Sequence, residues 1–239
     1  MSVRIEVAEL GLPALDALDV DALLVFVGPE RPLQGLAGFA DWRLCGALSR
    51  AMRSGLFAAA PGEALLLPSG GRLRPARVFC FGLPAVPVAA ASYPAVVRSA
   101  CQALRRAGSN AFASSLPPIQ GGDGAAAARL WIEGSLGAPV ATFDQLEKKR
   151  LEPAPSHGEP LRTSIGRANA VLVYNQVKIL GETRPQAKAL VGRLDNLVSL
   201  LPATYPVTLY LQGPDVQAAG GAAPNLTPVA DKGAALAGG

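Results

Sequence analysis

The side chains that could carry chemistry in this 239-residue chain are few and scattered. His157 is the single histidine, and it stands beside Ser156 in a proline-rich stretch with no triad context. A catalytic base needs a neighbour that orients or activates it. The sequence therefore predicts no catalytic residue at this position.

Three aspartates near the amino terminus are spaced closely enough to suggest a cation site. Asp16, Asp19 and Asp21 stand among Ala, Leu and Val residues, without the glycine and glutamate pattern of a calcium-binding EF-hand loop. Turn and strand-entry roles are therefore favoured, and the sequence predicts no metal site and no cofactor.

The three cysteines, Cys45, Cys80 and Cys101, have no CxxC spacing. An odd number without that spacing argues against a disulfide framework and against a zinc site. Each lies in an apolar pattern, so we expect reduced thiols in the core.

A glycine-rich loop precedes one predicted helix. Gly121, Gly122 and Gly124 surround Asp123 there, and free N–H groups at a helix amino terminus bind phosphates. Asp123 already supplies an anion that would repel a second one. A loop with a helix cap is favoured, and the three glycines remain the phosphate-loop candidates.

Arginines on the polar faces of two predicted helices form a candidate polyanion surface if those helices lie side by side. These residues are Arg43, Arg50, Arg53, Arg98, Arg105 and Arg106. The chain has a net charge of +4, few aromatic residues and no recognisable motif for reading nucleic acid. Solvated helix faces are the favoured interpretation, with nucleic-acid binding as the alternative.

The elements that position these residues alternate between strands and helices. Half of the residues are hydrophobic and 17% are charged, which permits a sizeable core. Predicted strands cover residues 3–7, 22–27, 64–67, 78–81, 110–116 and 140–143. The strand 22–27 is apolar throughout, which predicts burial on both faces, and the Gly70-Gly71 pair predicts an antiparallel hairpin between 64–67 and 78–81. Predicted helices run from Trp42 to about Ser54, with Asp41 as N-cap and Gly55 as the stop, and over 93–107 and 124–136. This order predicts an α/β domain with a mixed sheet between helices.

The organisation predicted for the whole chain has four parts. A domain covers residues 1–147, a polar proline-rich linker 148–164, an extension 165–212 and a flexible Gly/Ala/Pro-rich tail 213–239. Residues 167–180 fit a helix or a strand. The extension ends in a strand candidate, 207–211.

A helix within this extension carries a leucine stripe. Its members are Leu190, Leu194, Leu197 and Leu201. The stripe either packs on the α/β domain or forms an interface with another subunit or protein. Arg4, Glu6 and Glu9 interrupt any signal peptide, and Ala22–Val27 is too short to span a bilayer. A cytoplasmic location without membrane contact is the default expectation.

Several segments in order resemble the amino-terminal domain of leucyl aminopeptidases, peptidase family M17. They are Asp21-Ala-Leu-Leu-Val-Phe26, Gly38-Phe-Ala-Asp-Trp-Arg-Leu44 with Leu48-Ser-Arg50, Gly62-Glu-Ala-Leu-Leu-Leu-Pro68, and Ala127-Ala-Arg-Leu-Trp-Ile-Glu-Gly-Ser-Leu-Gly-Ala138. The resemblance covers roughly residues 1–145. It implies a macro-domain-like α/β fold, hexameric assembly of whole enzymes, and peptide hydrolysis in a second domain.

The residues after 150 depart from that family. They are too few for its catalytic domain, and none matches its Asn-Thr-Asp-Ala-Glu-Gly-Arg segment. A two-metal site needs grouped carboxylates to hold both ions. The leading hypothesis is therefore a non-catalytic binding, regulatory or assembly protein, forming a homo-oligomer or binding a protein partner. The alternatives are a binder of nucleotide or ADP-ribose-type ligands and a nucleic-acid-binding accessory protein.

Overall fold

The computed structural model describes residues 2–122, 124–136, 176–181, 183–199 and 208–213. The strands in these ranges are β1 Ser2–Glu9, β2 Ala22–Val27, β3 Ala64–Pro68, β4 Arg77–Gly82, β5 Ala111–Ser114, β6 Gln176–Gly181 and β7 Thr208–Gln212. The helices are α1 Leu12–Asp16, α2 Gly35–Arg43, α3 Ala47–Arg53, α4 Tyr93–Arg106, α5 Gly124–Leu136 and α6 Arg184–Ser199.

The strands form one mixed sheet in the order β3-β4-β2-β5-β6-β1-β7. Neighbouring strands are parallel except β3 and β4, which form the predicted antiparallel hairpin. Gly70 and Gly71 make the turn possible, because their φ angles of 59° and 76° lie in the left-handed region. The predicted α/β fold with a mixed sheet is thus confirmed.

Helices cover both faces of the sheet, which makes three layers. Alternate side chains of β2 separate the two cores, since Leu23, Val25 and Val27 pack with α1–α3 while Leu24 and Phe26 pack with α4–α6. All six residues of β2 are buried, as predicted for a continuous apolar strand. No helix in the described ranges is both long and apolar enough to cross a membrane.

The sheet is not complete by residue 147, contrary to the predicted domain boundary. β6 lies between β1 and β5, and Val177 is in register with both Ile5 and Phe112. Each strand of a sheet needs a partner for its backbone N–H and C=O groups, and β6 supplies them to two neighbours. Residues 176–181 and 208–213 therefore belong to the α/β domain, and the described part of 167–180 is a strand.

The leucine stripe of α6 packs on the sheet. Leu190, Leu194 and Leu197 are at most 8% exposed and belong to the core that α4 and α5 also cover. This finding supports the packing alternative over a subunit contact for these three residues. Leu201, His157, Asp123, the strand candidate 140–143, the linker 148–164 and the tail after residue 213 lie outside the described residues.

The helix predicted from Trp42 to Ser54 is two helices, because the backbone turns between α2 and α3. Cys45 and Gly46 have φ angles of 53° and 79°, which a right-handed helix cannot contain. Asp41 is consequently not an N-cap but lies near the end of α2. Its carboxylate accepts hydrogen bonds from the backbone N–H and the hydroxyl of Ser49, in the first turn of α3. It therefore accepts a hydrogen bond from an N–H group in the first turn of α3, which has no partner within the helix, although Asp41 belongs to the preceding helix.

We expect the substitution Asp41→Ala to lower the free energy of unfolding by about 1–2 kcal/mol, because both Ser49 donors lose their acceptor. Chemical denaturation followed by circular dichroism measures this loss. Asp19→Ala is the matched control, since Asp19 is exposed and is expected to change stability by less than about 0.5 kcal/mol. Equal stability of the two variants would contradict the role assigned to Asp41.

Candidate functional site

A groove of about 830 Å³ runs along the end of α2 and the turn into α3. Leu36, Ala37 and Ala40 point into the core, and this spacing directs Trp42 outward from the same helix. The Trp42 side chain is 63% exposed. Tryptophan is enriched at protein interfaces relative to the rest of the protein surface.

A second cavity of about 430 Å³ adjoins the groove and is also lined by Trp42. Leu33, Gly38 and Trp42 line both cavities, while Leu12 and Phe39 make the second one apolar. We call the two cavities together the Trp42 groove.

Arginines dominate the charge on the first half of the Trp42 groove. Arg31, Arg43 and Arg72 line it together with a single carboxylate, Asp41, which is occupied by Ser49. The Arg43 guanidinium lies 5.2 Å from the centroid of the Trp42 ring and pairs with Asp16. Arg31 and Arg72 have no carboxylate partner within the part of the chain that the structure describes.

A crevice that adjoins the Trp42 groove at Leu33 opens at the carboxyl ends of the parallel strands. Two cavities of about 430 and 330 Å³ share the loop 115–118, which follows β5. The smaller one is also lined by Phe26 and Gly28 from the end of β2. The chain leaves β2 toward β4 and returns past it to β5, so this is a topological switch point, where α/β sheets commonly bind ligands.

Two of the three phosphate-loop candidates, Gly122 and Gly124, line the larger cavity of this crevice. Gly121 and Gly122 have φ angles of 94° and 72°, and the Gly122 N–H closes a turn onto the Ile119 carbonyl. Gly124 is the first residue of α5, where an added Cβ would lie 2.2 Å from Nη1 of Arg193. Only the end of this exposed, flexible side chain would have to shift to admit the Cβ, and Arg193 is the one cation among the described residues that line the larger cavity.

The six arginines predicted as a polyanion surface are divided between the two faces of the sheet. Arg43, Arg50 and Arg53 belong to α2 and α3, whereas Arg98, Arg105 and Arg106 belong to α4. A continuous polyanion surface requires these helices to lie side by side, whereas the sheet separates α2 and α3 from α4.

The closely spaced aspartates serve the local structure. Asp21 Oδ2 accepts hydrogen bonds from the N–H groups of Asn110 and Ala111, at 2.9 and 3.0 Å, which ties the start of β2 to the start of β5. Asp16 pairs with Arg43, and Asp19 is exposed. No group of three or more His, Cys, Asp or Glu side chains that could hold a metal occurs within the described ranges.

Two cysteines are buried as expected, and the third is not. Cys80 and Cys101 are 0% exposed, whereas Cys45 lines the Trp42 groove and is exposed because the turn between α2 and α3 carries it outward. Burial raises the pKa of the Cys80 thiol from its ordinary value of 9.0 to about 12, and the nearby charge of Asp41 adds to the effect.

We expect one thiol per native molecule to react quickly with Ellman's reagent at about pH 8, where free thiols begin to ionise. Cys45 is that thiol, so Cys45→Ser abolishes the fast phase. Cys80 and Cys101 become reactive only when denaturant unfolds the protein. Fast reaction of two or three thiols in native protein would contradict these assignments.

The raised pKa of the Cys80 thiol also makes the stability of the fold depend on pH. It favours the folded state below pH 9.0, and this contribution is lost as the pH rises toward about 12.

Sequence reasoning missed the Trp42 groove. It placed Trp42 at the start of a helix, although the core-facing residues Leu36, Ala37 and Ala40 show that the helix begins earlier. A helix that begins at Gly35 places Trp42 on its outer face, and this could have been predicted from the spacing of the apolar residues. The approach of Arg31 and Arg72 to the groove depends on loop conformation and could not be predicted from the sequence.

The fold defined by this sheet and its two helical layers is of the macrodomain type. A macrodomain from Trypanosoma brucei is 14% identical, with 75% of this chain and 63% of that chain covered and a TM-score of 0.50. A mutant macrodomain from Oceanobacillus iheyensis, described with ADPR, is 9% identical, with 82% and 92% covered and a TM-score of 0.50. These likenesses concern the fold alone.

Residues 24–138 match the model of the N-terminal domain of the cytosol aminopeptidase family. The predicted family resemblance is thereby confirmed. A mutant leucine aminopeptidase from tomato is 17% identical over 80% of this chain, with a TM-score of 0.46. The chain spans 35% of the length of that enzyme. No curated protein matches the chain.

Proposed function

We propose that this chain is a non-catalytic binding or assembly protein of the cytoplasm, built on an M17 amino-terminal domain. The observation that carries the proposal is Trp42, which is 63% exposed between two cavities on such a domain. In the aminopeptidase family, peptide hydrolysis belongs to a different domain. A large exposed aromatic ring at a groove is typical of protein interfaces, where Trp and Arg supply much of the binding energy.

Two measurements on the full chain test this proposal. Incubation with leucyl-p-nitroanilide and added Mn²⁺ or Zn²⁺ is expected to release no p-nitroaniline, with an active leucyl aminopeptidase as the positive control. Native mass determination after a pull-down is expected to show either an oligomer or a bound protein partner. Hydrolysis proportional to protein concentration overturns the non-catalytic role. A monomer without bound protein, both in the purified sample and after the pull-down, overturns the assembly role.

A second candidate function is binding of a nucleotide or ADP-ribose-type ligand at the carboxyl-end crevice. The observation that favours it is the position of the two cavities at the topological switch point, with Arg193 on one wall. One macrodomain of similar fold is described with ADPR. Calorimetry with ADP-ribose, ADP and AMP tests it, and the absence of heat at millimolar ligand removes this candidate.

A further inference from the structure

We propose that the Trp42 groove docks an acidic peptide segment that also carries apolar side chains. This inference rests on the binding function proposed above and names the chemistry of the partner. Two properties of the groove carry it: an apolar half that fits side chains of a peptide, and a basic half that fits its carboxylates.

The apolar half is the cavity of about 430 Å³ walled by Leu12, Phe39 and Trp42. Burying a leucine-sized or phenylalanine-sized side chain there removes apolar surface from water, which favours binding. Trp42 stands at the boundary of both halves, so one partner residue can pack on the indole while its neighbours in sequence reach the arginines.

The basic half has excess positive charge. Three arginines and one aspartate line it, which leaves a net charge of +2. Asp16 offsets Arg43 from outside the groove, but Arg31 and Arg72 have no ion-pair partner among the described residues. Guanidinium groups bind carboxylates through two parallel hydrogen bonds, so an acidic segment is the complementary partner.

Internal contacts fix the walls of the groove before any partner arrives. Arg31 Nη1 donates to the carbonyls of Gly28 and Glu30, at 3.0 and 2.6 Å. The Asp41–Ser49 hydrogen bonds hold α3 against α2. Such preorganisation reduces the entropy lost on binding and makes weak individual contacts sufficient.

A peptide fits these features better than a nucleic acid does. Non-specific single-strand binding needs a basic track with several exposed aromatic platforms. The described lining of this groove has one exposed ring, Trp42, which already contacts Arg43, while Phe39 is half-buried. Leu12 and Phe39 form an apolar cavity that phosphates and sugars would not fill. The arginines of α4 lie on the other face of the sheet and cannot extend the track.

Fluorescence anisotropy with the full-length protein and a fluorescein-labelled dodecapeptide of alternating Glu and Leu pairs tests the proposal. We expect a Kd of order tens of micromolar that rises severalfold when salt is raised from about 50 to about 500 mM. Trp42→Ala is expected to weaken binding at least about tenfold and Arg72→Gln about threefold or more. Arg106→Gln on α4 is the matched control and leaves the Kd unchanged.

Control peptides separate the two halves of the groove. Replacing every Glu by Gln, or every Leu by Ser, is expected to reduce binding at least about fivefold. The proposal is overturned if no anisotropy change occurs, if Trp42→Ala and Arg72→Gln bind like Arg106→Gln, or if labelled single-stranded DNA competes more strongly than the peptide. None of these results affects the hydrolysis or mass measurements, so failure of the docking chemistry is distinguishable from failure of the proposed function.

Discussion

Trp131→Ala is expected to lower the free energy of unfolding by about 3–5 kcal/mol, the range for deleting a large aromatic side chain from a core. Trp131 lies on α5, is 0% exposed and packs against Phe112 of β5, with their ring centroids 6.5 Å apart. It therefore joins a helix to the middle of the sheet. A typical domain is stable by only 5–15 kcal/mol, so this loss would leave the protein marginally folded.

Urea denaturation followed by far-ultraviolet circular dichroism measures the effect, and the second tryptophan supplies the control. Trp42→Ala removes an identical side chain at a site 63% exposed and is expected to change stability by less than about 0.5 kcal/mol. A loss below about 1 kcal/mol for Trp131→Ala, or equal losses for both variants, would contradict the packing described for α5 and β5.

A third variant distinguishes the cost of lost side-chain volume at position 131 from the cost of the unpaired indole N–H. The Trp131 indole N–H is buried and has no hydrogen-bond partner among the described residues. A buried unpaired donor costs about 1–3 kcal/mol, which Trp131→Phe removes while keeping an aromatic ring. Trp131→Phe is therefore expected to be clearly more stable than Trp131→Ala.

The amino-terminal half of the fold was readable from sequence because its signals are local. The continuous apolar run Ala22–Val27 predicts a strand buried on both faces, and the Gly70-Gly71 pair predicts the hairpin. The position of β6 was not readable. Its two partners, β1 and β5, are distant in sequence, and pairing across such distances depends on the whole sheet rather than on Gln176–Gly181 itself.

The candidate site was likewise predictable from the sequence only in part. The exposure of Trp42 follows from the period of one helix, whereas Cys45 adopts a positive φ that its residue type does not favour. Together with the positive φ of Gly46, this conformation turns the chain between α2 and α3 and exposes a thiol that looked like a core residue. A non-glycine residue in this conformation gives no signal in the sequence.

Gly134→Ala is expected to destabilise the protein by about 1–3 kcal/mol, although alanine is the better helix former by about 1 kcal/mol. Gly134 lies on the face of α5 that packs on α4. An added Cβ would lie 2.7 Å from the Pro94 carbonyl oxygen and 2.8 Å from Cβ of Val97. Because the first of these neighbours is backbone, the two helices would have to separate to relieve the contact.

Gly192→Ala on α6 tests the sign of that argument in the same protein. Gly192 is exposed, and nothing lies within 4 Å of its added Cβ, so only the propensity term remains. We expect this variant to be more stable by about 0.5–1 kcal/mol. Thermal and urea denaturation of both variants gives the comparison. If Gly134→Ala also stabilised the protein, the close approach of α4 and α5 would be wrong, because propensity alone predicts a gain at both positions.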